Sequence, residues 1–181
     1  MVILPTDTIY GLHAVASETK GVSKLFRIKA REEKKPFVVL CDTIEQMGEL
    51  GVSLSDRHRN FLASIWPAPL TVILPLAAPI PASAGSLSLA IRIPALEGLR
   101  GLIARTGPLA STSVNRSGEP PLQDMRHLLN VPAEVAGIVD AGQIVGRPST
   151  VLDLTSEVPR LLRQGDFAFS QNLWKTLRKR L

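Results

Sequence analysis

Apolar positions recur along this chain either every three to four residues or every second one, and each rhythm marks an element. The opening run Met1-Val2-Ile3-Leu4 reads as a strand. From about Glu18 to Arg31, the residues Val22, Leu25 and Ile28 fall on one face of a helix. Pro36 disfavours helix at Lys35, so the chain turns there, and the apolar run Phe37–Cys41 follows as a buried strand. Thr43-Ile44-Glu45-Gln46 has capping-box spacing and starts a short helix. A longer helix covers about Ser55 to Trp66, with Arg57, His58 and Arg59 in solvent and Phe61, Leu62 and Ile65 buried. Leu70–Leu74 is a strand, and the proline-rich stretch Pro75–Ser86 reads as a long surface loop. Leu87 to Ile93 then alternates, with Leu87, Leu89, Ile91 and Ile93 on one face and Ser88, Ala90 and Arg92 on the other. Ala95 to Arg105 reads as a helix with Leu96, Leu99, Leu102 and Ile103 inward. A short strand from Leu109, a helix near Gln123 to Leu129, and strands at Gly137–Val139, Val151–Leu154 and Arg160–Arg163 complete the body. Ser170 caps a last helix that spaces Leu173, Leu177 and Leu181 four apart beside Lys175, Arg178, Lys179 and Arg180.

Composition narrows what these elements build. With 181 residues and 45% apolar content the chain buries a core as one domain, or at most two small ones. No run approaches the apolar length of a membrane span and the N-terminus lacks a charged-then-apolar signal pattern; a cytoplasmic chain with no membrane partner is expected. The single cysteine, Cys41, excludes an internal disulfide framework and fits a reducing compartment. A net charge of +5 is compatible with nucleotides or RNA as partners, while 4% aromatics argues against a base-stacking surface. Sequence signatures of P-loops, dinucleotide folds, zinc proteases and serine hydrolases are missing, and His13, His58 and His127 are scattered.

Three stretches carry candidate chemistry. Lys29 to Pro36 holds four cations and two anions between a helix end and a strand. It reads either as a held cationic cluster for a polyanion such as a triphosphate, or as an ordinary cationic helix C-terminus. Pro5 to Gly11 packs Thr6, Asp7, Thr8 and Tyr10 into a strand-to-loop junction, a small polar site or a capped turn. Leu109 to Pro121 runs a short strand into a hydroxyl-rich loop with Asn115 and Gly118, which offers donors to phosphate oxygens or is simply a turn. Arg92 in mid-strand marks a solvated face or an anion site.

Taken in order, several motifs resemble one family. They are Pro5-Thr-Asp-Thr-Ile-Tyr-Gly11, Lys29-Ala-Arg31 with Lys35-Pro36, Trp66-Pro-Ala-Pro-Leu-Thr71, Arg92-Ile-Pro94, Ser113-Val-Asn115 with Ser117-Gly-Glu-Pro-Pro121, Pro148-Ser-Thr-Val151, and Arg163 before Gly165. Together they resemble the Sua5/YrdC/YciO family across almost the whole chain. The resemblance implies an α/β (α+β) fold, a twisted mixed sheet flanked by helices around a basic central cavity. It implies a nucleotidyltransferase, an L-threonylcarbamoyladenylate synthase. Such an enzyme joins L-threonine, bicarbonate or CO2 and ATP, with Mg2+, into threonylcarbamoyl-AMP and pyrophosphate. A tRNA threonylcarbamoyl transferase complex then passes the group to adenosine 37 of tRNA.

By the same resemblance, Lys29 and Arg31 are the catalytic cations. Lys29, Arg31, Lys35, Ser113, Asn115, Pro121 and Arg163 hold ATP, and Thr8, Tyr10, Leu40, Arg92, Ser111 and Ser149 hold threonine, with Arg92 clamping its carboxylate. Metal ligands are not identified. Ala30 and Ala68 stand where the family favours glycine. Family members carry a helix and a Gly-Gly approach before the first strand, so that helix is expected to be missing here. Residues 1–181 are expected to form a single domain of the short type. Weak, electrostatic tRNA or double-stranded RNA binding is expected of the protein, and the alternative reading is a non-catalytic RNA-binding or ribosome-maturation protein of the same fold. Retention of both the Lys29/Arg31 and Ser113/Asn115 pairs favours the enzyme.

Overall fold

The computed structural model describes residues 1–29, 36–115, 119–128 and 130–179. Arg31 and Lys35 lie outside the described residues, as do Ala30, Ser117, Gly118, Leu129, Arg180 and Leu181. The strands are β1 (Val2–Leu4), β2 (Gly11–Val15), β3 (Val38–Leu40), β4 (Leu70–Pro75), β5 (Ser88–Arg92), β6 (Leu109–Ser113), β7 (Gly137–Ile138), β8 (Thr150–Asp153) and β9 (Arg160–Arg163). They form one mixed sheet in the order β7-β1-β2-β6-β3-β5-β4-β8-β9. Three pairs are parallel, β1 with β7, β3 with β5 and β4 with β8, and the other five are antiparallel. The helices are α1 (Thr19–Ile28), α2 (Asp56–Ala63), α3 (Glu97–Thr106) and α4 (Gln171–Lys179). None of the helices among the described residues is long and apolar enough to cross a membrane.

The two faces of the sheet bury different residues. Ile3, Leu12, Val39, Ala110, Ile91, Val72 and Leu152 point into the main core, where Val22 and Leu25 of α1 and Leu62 of α2 join them. On the other face Leu99 and Ile103 of α3 pack against Leu4, Leu40 and Leu109. Burial at this depth contributes about 1.5–3 kcal/mol for each large apolar side chain. The strand β2 was not expected from the sequence. Its central residue, His13, is fully buried, so Gly-Leu-His-Ala-Val shows no apolar–polar alternation.

Several expectations change in detail. Leu96 and Leu102 are each 37% exposed, because only Leu99 and Ile103 lie on the stripe of α3 that meets the sheet. Leu87 precedes β5 and is exposed. The stretch 75–86 is not wholly at the surface: its 3-10 turn Pro81–Ser83 buries Ala82 and Ser83, and Ala82 O accepts from Phe37 N–H at 3.0 Å. A 3-10 turn at Met125–His127 replaces the helix expected near Gln123. At Thr43 the hydroxyl accepts from Gln46 N–H at 3.3 Å, but Gln46 Oε1 accepts from Asp42 N–H, and the element that follows is the 3-10 helix Glu45–Leu50.

Candidate active site

Register on the face that α3 partly covers brings the polar candidates side by side. Leu40 pairs with Arg92, Val38 and His13 each with Ser111, and Gly11 with Ser113. Next to the α3 contact lies a cavity of about 210 Å³ that Leu40 shares with the small apolar cluster. Thr8, Tyr10, Leu40, Arg92, Ser111 and Ser149 all line it, and so do Ser113, Pro121 and Arg163. Among the described residues its charged lining is Arg92 and Arg163.

The rim from Thr6 to Tyr10 is held by its own hydroxyls. Thr6 Oγ1 donates to Ile9 O at 2.7 Å and accepts from the N–H groups of Thr8 and Ile9 at 3.1 Å each. This local hydroxyl turn replaces a backbone ladder. Thr8 Oγ1 lies 2.9 Å from Thr6 Oγ1 and accepts from Arg92 Nη1 at 2.8 Å. The Tyr10 ring is buried, and its hydroxyl donates to Gly142 O at 2.7 Å and accepts from Ala141 N–H at 2.8 Å. Burial raises the Tyr10 phenol above its ordinary pKa. Tyr10 therefore ties the rim to the segment at 140–142.

Arg92 is only 5% exposed, and its Nη2 donates to Asp7 as well. Burial lowers its pKa and the Asp7 charge opposes that shift. Asp7 was passed over as a site residue; the signal for it was a buried mid-strand arginine, which needs a carboxylate partner. A guanidinium has five donors, and the described residues use Nη1 and Nη2 once each, so capacity for a carboxylate remains.

Ser149 is fixed from two sides. Its hydroxyl lies 2.7 Å from Thr71 Oγ1, and its carbonyl accepts from Arg163 Nε at 3.0 Å and Nη2 at 2.8 Å. Arg163 reaches it because β9 is bulged: Leu161 pairs with Leu152 and Arg163 with Val151, leaving Leu162 as the extra residue. Thr71 also lines the cavity and was not singled out; a hydroxyl inside the apolar run Leu70–Leu74 was its signal. Gly146 and Gly165 were missed as well. A Cβ on Gly146 would meet Thr8 O, and one on Gly165 would meet the backbone of Pro148 and Ser149.

Lys29 caps the end of α1 and is 6% exposed, so it is a buried residue. Its Nζ donates to Ser113 O at 3.0 Å, Asn115 O at 2.6 Å and Asn115 Oδ1 at 2.9 Å. Ser113 Oγ donates to Asn115 Oδ1 at 2.6 Å. Lys29 and Asn115 are thus joined to the cavity wall through Ser113. His13 lies under that wall; burial pushes its imidazole down to about 4, against a weaker opposing effect from the Leu4 backbone.

The family model Sua5_yciO_yrdC, described as telomere recombination, matches residues 1–165. The chain belongs to the Sua5/YciO/YrdC family. A threonylcarbamoyl-AMP synthase of Bacillus subtilis is 34% identical over 177 residues, covering 94% of this chain and 51% of its own length. The crystal structure of Pyrococcus abyssi Sua5 complexed with L-threonine superposes with a TM-score of 0.83 at 32% identity, over 91% of this chain and 50% of that one. The chain thus spans about half the length of these Sua5 relatives. Escherichia coli YciO, at 20% identity and a TM-score of 0.78, shares the fold over 91% of this chain.

Proposed function

We propose that this Sua5/YciO/YrdC chain is an L-threonylcarbamoyladenylate synthase, joining L-threonine, bicarbonate or CO2 and ATP into threonylcarbamoyl-AMP with release of pyrophosphate. The observation that carries the reading is the convergence of Arg92, Thr8, Ser111 and Ser149 on one cavity whose wall continues, through Ser113, to Lys29 and Asn115. The similarity to synthases, one of them complexed with L-threonine, supports it. Residues 1–181 act in this reading as one domain, which the single sheet running through the described residues supports.

The chemistry asks for placement more than for a reactive side chain. A carbamate forms on the threonine amine, its oxygen attacks the α-phosphorus of ATP, and pyrophosphate leaves. Charge spreads over phosphate oxygens, so fixed cations and backbone donors supply the stabilisation. Arg92 takes the threonine carboxylate through its remaining donors. Thr8, Ser111 and Ser149 supply hydroxyls, and Tyr10 and Leu40 shape the pocket. Lys29, Arg31, Lys35, Ser113, Asn115, Pro121 and Arg163 form the ATP side, with Lys29 and Arg31 serving the phosphates. Among the described residues no group of three or more His, Cys, Asp or Glu is placed to hold a metal ion. In this reading Mg2+ enters as part of the MgATP substrate. The product passes to a tRNA threonylcarbamoyl transferase complex in the cytoplasm, and contact with tRNA itself is weak.

Mass spectrometry of the purified protein incubated with L-threonine, bicarbonate and MgATP tests this. Threonylcarbamoyl-AMP is expected, and only when all three are present. Its absence with folded protein would contradict the reading and leave a non-catalytic RNA-binding role.

A further inference from the structure

On β4 the residues Leu70, Val72 and Leu74 turn into the main core, so Thr71 between them stands on the opposite face, where it lines the cavity. Val72 pairs with Ile91, and one step along the two strands Thr71 and Arg92 come side by side on that face. A valine would suit this buried strand position, whereas a hydroxyl there costs stability unless it is bonded. Among the described residues the one hydrogen bond of the Thr71 hydroxyl is with Ser149 Oγ, at 2.7 Å. The same Ser149 oxygen lies 3.4 Å from Arg163 Nη2, and that guanidinium is held by its two bonds to the Ser149 carbonyl. Thr71, Ser149 and Arg163 all line the cavity, so one serine hydroxyl sits there between two groups able to donate to it.

We propose that Thr71 is a positioning residue that sets the Ser149 hydroxyl as a donor, directed at an anionic oxygen of the amino acid whose carboxylate lies on Arg92. A hydroxyl has one hydrogen and two lone pairs. When Thr71 and Arg163 both donate to Ser149 Oγ, both lone pairs are engaged and the single hydrogen is left for the ligand. The reverse arrangement, with Ser149 donating to Thr71, spends that hydrogen within the wall and turns a lone pair towards the ligand, where it repels an anion. An anionic ligand therefore favours the first arrangement, and the Thr71 hydroxyl supplies the donor that completes it. With valine at position 71 that donor is gone, and Ser149 loses the group that fixes its rotor. The assignment rests on the reading of this cavity as an amino-acid site, and it adds a residue that acts through Ser149 without touching the ligand.

Pyrophosphate release with threonine and ATP varied in turn tests it, in wild-type protein, Thr71→Val, Ser149→Ala and the double variant. Thr71→Val keeps the shape and removes the hydroxyl. It is expected to raise half-saturation for threonine by about fivefold, the worth of one neutral hydrogen bond, and to leave that for ATP within about twofold. Ser149→Ala should do at least as much, and the double variant no more than Ser149→Ala alone, because Thr71 acts through Ser149. Thr71→Ser returns the hydroxyl and should recover threonine half-saturation to within about twofold of wild type. Single effects that multiply in the double variant would show Thr71 acting elsewhere. An unchanged threonine half-saturation in Thr71→Val, or an equal rise for both substrates, would show a hydroxyl pair that only serves the fold; any of these overturns the assignment. Should Thr71→Val not fold, Thr71→Ala and Thr71→Ser differ in the hydroxyl alone and must show the same contrast. A folded wild-type protein that releases no pyrophosphate with threonine, bicarbonate and ATP together would overturn the synthase reading itself, and this assignment with it.

Discussion

Lys29 donates to three oxygens of the Ser113–Asn115 turn from a position that is 6% exposed. An ammonium has three donors, so this cation organises the wall of the cavity as well as supplying charge to it. Lys29→Ala is expected to lower stability by about 1–3 kcal/mol, because it strands buried acceptors. Adenylate formation should fall at least about tenfold, a larger effect than the lost stability explains once the protein is shown to be folded. Denaturant melts and product assays on one preparation separate the two losses. The sequence singled out Lys29 as a held cation at a helix end but not its partners, since a basic run after a helix says nothing about the strand that folds over it. Asp7 stayed hidden for a related reason: its partner is 85 residues away, and only the fold brings them together. His13 gives a second consequence at this scale. Its folded pKa of about 4 lies below the ordinary value of 6.5, so between those values the unfolded chain binds a proton that the folded chain does not. Stability is therefore full above about pH 6.5 and is lost as pH falls towards 4, by about 3 kcal/mol in all. Urea melts from pH 7 to pH 4.5 should show this slope, and His13→Gln should flatten it.

The elements around the cavity owe their positions to close backbone approaches. Gly165 sits where a Cβ would enter the backbone of Pro148 and Ser149, and its N–H donates to Thr150 Oγ1 at 2.9 Å. Gly165→Ala must push β8 and its preceding turn away from β9. We expect a loss of about 1–3 kcal/mol in denaturant melts, the usual range for overpacking. The displacement of Ser149 should also weaken threonine binding by at least about fivefold. Equal stability and binding in the variant would mean that the backbone relaxes without disturbing Ser149. Legibility at this scale followed periodicity. The strands β4 and β5 stood out because apolar residues run or alternate within them. The strand β2 did not, because buried His13 replaces the expected polar, exposed position. The inward face of α3 was drawn too wide, since four leucine and isoleucine positions fit a helical stripe but only Leu99 and Ile103 meet the sheet. Gly146 and Gly165 could not be distinguished from other glycines until the chains they touch were known.

For the whole molecule, the sheet order interleaves early and late strands, so the cavity is complete only when β2, β3, β4, β5, β6 and β9 are all in place. That order could not be derived from periodicity, and it was the ordered motif set that implied the mixed sheet. The net charge of +5 acts at this scale too. Binding to tRNA is expected to be electrostatic, weakening by at least about tenfold between roughly 50 and 200 mM salt, with unrelated structured RNA competing equally. Selective binding of one tRNA class at physiological salt would instead favour an RNA-binding role. The central claim, that one cavity joins an amino-acid wall to a nucleotide wall, is tested most directly by pyrophosphate release measured while threonine and ATP are varied in turn, in wild-type protein and in Arg92→Lys. Lysine keeps the charge and loses the planar fork. The account predicts release that requires threonine, bicarbonate and ATP together, with half-saturation for threonine raised by about tenfold or more in Arg92→Lys and that for ATP changed by less than about twofold. Release without threonine, or an equal change for both substrates, would contradict it.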